Sequence, residues 1–185
     1  VAKFIIAKKR LRQLYYRYPI IGYSYDSNTK GAHVKKTALS VLRIGQKIAE
    51  KNGRHLAQFI LDFKKKNSKT KIRLMGHSLG SQVILSAIRS LSSKQNTKNI
   101  IESVHFFGAS IVDNSMHPKK DGKYVQKIAH KKIKNYYFPS DEVLKGVENE
   151  RSEKLPIGLY GARERTISKY SQTRVFPKNH RFASY

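Results

Sequence analysis

The stretch "KIRLMGHSLGSQVILSAIRS", residues 71–90, changes its periodicity across five residues. "KIRLMG" at 71–76 predicts a short strand. Residues 79–92 predict a helix, because Val83, Ile84, Ala87, Ile88 and Leu91 recur on one helical face. Between the two runs stands Gly76-His77-Ser78-Leu79-Gly80. A serine at a sharp strand-to-helix turn is lifted above the sheet edge. The helix N-terminus behind it offers backbone N–H groups to a developing negative charge. The bland alternative is a glycine-flanked turn with no chemistry. The flanking strand and helix favour a nucleophile elbow, with Ser78 as nucleophile and the Leu79 N–H as oxyanion donor. Gly76 and Gly80 are expected to let strand and helix approach closely.

Working outward, residues 2–17 read as a basic amphipathic helix ended by Pro19. Such a helix covers a sheet or lies on a membrane surface. "PIIGYSYDS" at 19–27 reads as a buried strand. Residues 33–67 carry a long helical pattern. "KNGRH" at 51–55 is expected to break it in two, with Asn52 capping the second helix. "ESVHFFGAS" at 102–110 and "KIKNYYFPSDE" at 132–142 read as strands, with a short helix at 122–130 between them. After Glu148 the periodicity fades into loops with one short helix. Alternating strands and helices predict a single α/β domain over residues 1–185, three layers α/β/α around a mostly parallel sheet. Functional residues of such sheets gather beyond the carboxyl ends of the strands, where Tyr25, Asp26, Ser78, Gly108 and Asp141 are expected.

A serine hydroxyl needs a base, and the base needs an orienting acid. At an elbow of this kind the chain order is Ser, then Asp or Glu, then His. Asp141 follows a predicted strand and is the first candidate for the acid, with Asp113 as fallback. Asp121 reads as a turn residue. His180 is late, in a loop, and after the acid. His117 and His130 precede Asp141, His105 lies inside a strand, and His33 and His55 come too early. His77 is expected to point away from the reacting carbonyl and pack the turn. This chemistry needs no metal and no cofactor.

Composition narrows the rest. The 185 residues suffice for one sizeable core. With 38 Lys+Arg against 12 Asp+Glu, the formal charge is +26. The basic clusters are dispersed, which fits a solvated surface. An anionic membrane surface is the alternative partner, and no motif for specific nucleic-acid recognition is present. With no cysteine, disulfides and thiolate metal sites are excluded. The apolar runs are too short to span a bilayer. "VAKFIIAKKRLRQLYYRY" places its charges after a small apolar segment, the wrong order for a secretory signal. The expected location is cytoplasmic, at most peripheral to a membrane.

With those residues placed, the chain resembles the α/β-hydrolase superfamily. Within it, the chain is most similar to the lipase-like family of transmembrane and coiled-coil domain-containing proteins. "IRLMGHSLGSQVI", "IIESVHFFGASI", "KIKNYYFPSDEVLK" and "IGLYGA" carry the resemblance, and "NHRFASY" supplies the terminal histidine. The resemblance covers most of residues 70–185. It implies a serine hydrolase acting on carboxylic esters, lipid esters included. A second oxyanion donor is expected from a loop after an earlier strand. This chain starts inside the helix that would follow that loop, so it reads as truncated at its N-terminus. Gly22 and Tyr23 could substitute only if the strand at 19–25 is misassigned by one element.

Overall fold

Among the described residues, four short strands run side by side in one direction. The computed structural model describes residues 2–25, 38–148 and 155–185. Its strands are β1 (Arg73–His77), β2 (Ser103–Phe107), β3 (Ile133–Tyr137) and β4 (Tyr170–Arg174), in that order across the sheet and parallel throughout. Parallel neighbours need crossovers. α3 (Gly80–Ser92) links β1 to β2, and α4 (Gly122–Ile128) links β2 to β3. The fold is therefore α/β, a parallel sheet flanked by helices, as the alternation predicts.

The register divides the sheet into two faces. Gly76, Phe106 and Asn135 stand side by side on one face, and His77, Phe107 and Tyr136 on the other. The first face is covered: Phe106 and Asn135 are fully buried. Here a Cβ on Gly76 would lie 2.7 Å from Ile84 Cδ1, so glycine lets β1 and α3 touch. Outside α3 lies α2 (Ala38–Lys66), crossing it where Gly53 meets Ser86. The Ser86 hydroxyl donates to Glu50 O at 2.8 Å, so the small polar residue at the crossing is satisfied. The second face carries a row of rings and is met by the C-terminal segment.

Four expectations differ from the structure. α1 (Ala2–Gln13) ends before Pro19 is reached, in a turn with Tyr15 at φ 60°. Residues 19–25 form no strand: Gly22 lies against the Phe4 ring and the Tyr23 hydroxyl donates to Asn52 O. Neither makes a hydrogen bond to the Ser78 turn. Asp26, Ser27 and His33 lie outside the described residues. α2 runs unbroken through 51–55, because Gly53 is buried at the α3 crossing and Asn52 Nδ2 donates back to Ile48 O rather than capping a new helix. Finally, β4 lies in the segment read as loop. It is an edge strand with four of its five residues exposed, so it lacks the hydrophobic alternation by which strands are recognised. Among the described residues, no helix is long and apolar enough to cross a membrane.

Candidate active site

Ser78 sits one residue past β1 with φ 52°, a left-handed conformation that side chains adopt only at a cost of about 1 kcal/mol. The turn is held from three sides. Ser78 N donates to Phe107 O at 3.2 Å, extending the β1–β2 ladder by one residue. Ser78 O accepts from Ser81 N at 3.0 Å and from the Ser81 hydroxyl at 2.6 Å. Ser110 N in turn donates to Ser81 Oγ, and Gln82 Nε2 donates to Ser110 O. The first turn of α3 is thus tied to the exit of β2. Leu79 N–H, at the start of α3, donates no hydrogen bond among the described residues. The two glycines of the motif play different parts. Gly76 is required by contact, whereas a Cβ on Gly80 would meet nothing within 4 Å. The close approach therefore rests on the first glycine alone.

Asp141 lies beyond the end of β3 and opens α5 (Glu142–Glu148). Its Oδ1 accepts from Leu144 N at 3.1 Å, an N-cap contact worth about 1 kcal/mol. Capping explains one oxygen only. Oδ2 takes two further donors, His180 Nδ1 at 2.6 Å and the Tyr185 hydroxyl at 2.6 Å. The side chain is fully buried, which pushes its pKa up, but the donors from His180, Tyr185 and Leu144 outweigh this and hold it below the usual carboxylate value.

His180 has only 13% of its side chain exposed. It lies over Gly108, whose φ is 49° and whose added Cβ would stand 3.2 Å from His180 Cε1. With Nδ1 turned to Asp141, the other ring nitrogen, Nε2, is buried and hydrogen-bonds to no group among the described residues. No hydrogen bond joins it to Ser78 Oγ. The His77 ring lies 4.7 Å from that of His180, centroid to centroid, so His77 packs against the loop that carries His180.

The rings of His77, Phe107 and Tyr136 form the bed for this loop. Phe107 stacks on Tyr136 at 4.7 Å, and Phe182 from the 3₁₀ turn Phe182–Ser184 meets Phe107 edge-on at 5.4 Å. Beneath, α6 (Ile157–Tyr160), from "IGLYGA", closes the strand ends. Gly158 N donates to Ala109 O and Gly158 O accepts from Phe138 N, both at 2.9 Å. A Cβ on Gly158 would stand 2.1 Å from Ala109 N. This glycine lets α6 bridge the exits of β2 and β3, which carry Gly108 and Asp141.

The remaining candidates are engaged elsewhere. Asp113, the fallback acid, pairs with Arg163 at 2.8 Å. Asp121 holds Arg89 through two bonds of 2.6 and 2.7 Å. His117 Nδ1 accepts from Lys119 N, His130 is exposed, and His55 lies exposed on α2. His105 stacks on Tyr136 within the sheet, its pKa lowered by burial and by Lys132, Lys134 and Arg73. Sequence reasoning missed Tyr185 and Gly158. Gly158 stood inside a quoted stretch, and its contact was invisible because it crosses between strands far apart in the chain.

No curated protein and no solved structure matches the chain. The model of the family described as "Protein of unknown function (DUF726)" matches residues 34–162, a span that includes Ser78 and Asp141 and ends before His180. That span is more than half of the chain, and the chain belongs to this family.

Proposed function

We propose that the protein is a serine ester hydrolase of the α/β-hydrolase type. The observation that carries this reading is the short bond between His180 Nδ1 and the buried Asp141, next to the strained turn that carries Ser78. In this reading Ser78 Oγ attacks an acyl carbon and His180 Nε2 takes its proton. The Asp141 carboxylate fixes the tautomer with Nδ1–H and stabilises the imidazolium. The Leu79 N–H receives the oxyanion. His180 then returns the proton to the leaving alcohol, and water releases the acyl group by the same steps in reverse. The resemblance to lipase-like proteins supports an ester of lipid type. The test is labelling by a fluorophosphonate and turnover of p-nitrophenyl esters. Wild-type protein is expected to show both, and Ser78→Ala neither. Undiminished labelling of Ser78→Ala would remove the assignment.

A second reading has its own observation. Residues 4–25 contain Lys8, Lys9, Arg10, Arg12 and Arg17 and no carboxylate, yet expose Ile5, Ile6, Leu14 and Ile21. Cations around exposed apolar side chains suit an anionic lipid surface. A non-catalytic domain would bind anionic vesicles and turn over no ester. Sedimentation with anionic vesicles, measured beside ester turnover, separates the two readings.

A further inference from the structure

The carboxylate of Asp141 has more donors than an Asp–His pair requires. Leu144 N–H occupies Oδ1, and His180 already occupies Oδ2. The Tyr185 hydroxyl reaches the same Oδ2 at the same 2.6 Å. The surroundings are shaped to admit it. A Cβ on Gly108 would stand 2.7 Å from Tyr185 Oη, so only glycine leaves the phenol its place. The Tyr185 ring rests edge-on against His77 at 5.8 Å and Phe107 at 6.5 Å. Burial raises the pKa of the phenol, and its bond to the carboxylate raises it further, so it stays a donor at neutral pH.

We infer that Tyr185 is a positioning residue that acts on His180 through Asp141, holding the carboxylate in place and keeping part of its charge from the imidazole. The inference rests on His180 being the base. An unshared buried carboxylate strengthens its histidine partner by favouring the imidazolium. A second, neutral donor on the same oxygen stabilises the carboxylate whatever the state of His180. It thereby lowers the gain on protonating the ring. His180 is then a weaker base than an unshared pair would make it. Among the described residues, His180 bonds to Asp141 and lies against the His77 ring, and the Tyr185 hydroxyl reaches the same carboxylate oxygen as His180.

The test is Tyr185→Phe in the full chain, which keeps the ring and removes the hydroxyl. The His180 titration is followed by NMR, which separates it from His77. The acid limb of the kcat/KM profile is measured on a p-nitrophenyl ester. Both are expected to move to higher pH by about half a unit to one unit. Replacing Tyr185 with 3-fluorotyrosine, a stronger donor of nearly the same size, is expected to move both the other way. In an Asp141→Asn background, Tyr185→Phe is expected to leave the His180 titration unchanged. A His180 titration unmoved by both replacements, or moved equally without the Asp141 charge, would overturn the inference. Loss of ester turnover in the wild type would instead remove the hydrolase reading, and the NMR titration would still decide the role of Tyr185.

Discussion

Gly108 and His180 meet at the exit of β2, where a Cβ on the glycine would stand 3.2 Å from the imidazole Cε1 and 2.7 Å from the Tyr185 hydroxyl. The glycine also has φ 49°, so any side chain there is strained as well as crowded. Gly108→Ala is expected to displace the histidine loop without dissolving the sheet. Kcat/KM on a short-chain ester should fall by roughly 10- to 100-fold, the scale of an ångström-level misplacement. The far-ultraviolet circular dichroism should keep its wild-type shape. Full activity in this variant would show that His180 does not depend on its place over Gly108.

Ser78 offers a test in which stability and activity part. A serine at φ 52° keeps its backbone strain when changed to alanine and loses it when changed to glycine. Neither variant can be labelled if Ser78 is the nucleophile. Ser78→Gly is expected to exceed Ser78→Ala in stability by roughly 1 kcal/mol, or about 2–4 °C in Tm for a chain of this size. Equal melting temperatures would mean that the turn relaxes when the hydroxyl is removed.

The turn at Ser78, its strand and its helix were legible in the sequence because they are local. Period two turns to period 3.6 around one serine, and both runs are amphipathic or buried. Asp141 and His180 were legible as candidates from chain order, and the structure brings them within 2.6 Å. What escaped lies in long-range contacts. Gly53 looked like a helix breaker, but it is needed where α2 crosses α3. The exposed edge strand β4 had no hydrophobic alternation to reveal it. Tyr185 looked like one aromatic among many, because its meaning lies in an oxygen 44 residues away.

Acid should weaken the fold through Asp141. Its folded pKa is depressed: burial pushes it up, and the bonds from His180, Tyr185 and Leu144 pull it down by more. A depressed carboxylate stabilises the fold above its unfolded value near 4, and that contribution disappears as pH falls through the folded value. Alkali should act through Tyr185, whose pKa is raised by burial and by the Asp141 carboxylate. Its contribution is complete below the unfolded value of about 10 and is lost as pH rises above it. Urea unfolding across pH should therefore show a shallower acid limb for Asp141→Asn and a shallower alkaline limb for Tyr185→Phe. Limbs parallel to the wild type would count against these bonds.

Gly53 sets helix propensity against packing. Alanine in a helix interior gains about 1 kcal/mol over glycine. Here its Cβ would lie 2.4 Å from Ser86 Cβ and 2.7 Å from Val83 O, and the second contact is backbone, which cannot rotate away. Overpacking of this kind typically costs about 1–3 kcal/mol, and contacts this short belong at the upper end. Gly53→Ala is expected to lower stability by about 1–2 kcal/mol, which is a fall of several degrees in Tm. Adding Ser86→Gly removes one of the two clashes and should restore part of the loss, although glycine within α3 has its own cost of about 1 kcal/mol. The coupling between the two changes, read from a double-mutant cycle of urea unfolding, is expected to be favourable. A Gly53→Ala variant more stable than the wild type would mean that α2 lies farther from α3 than this crossing requires.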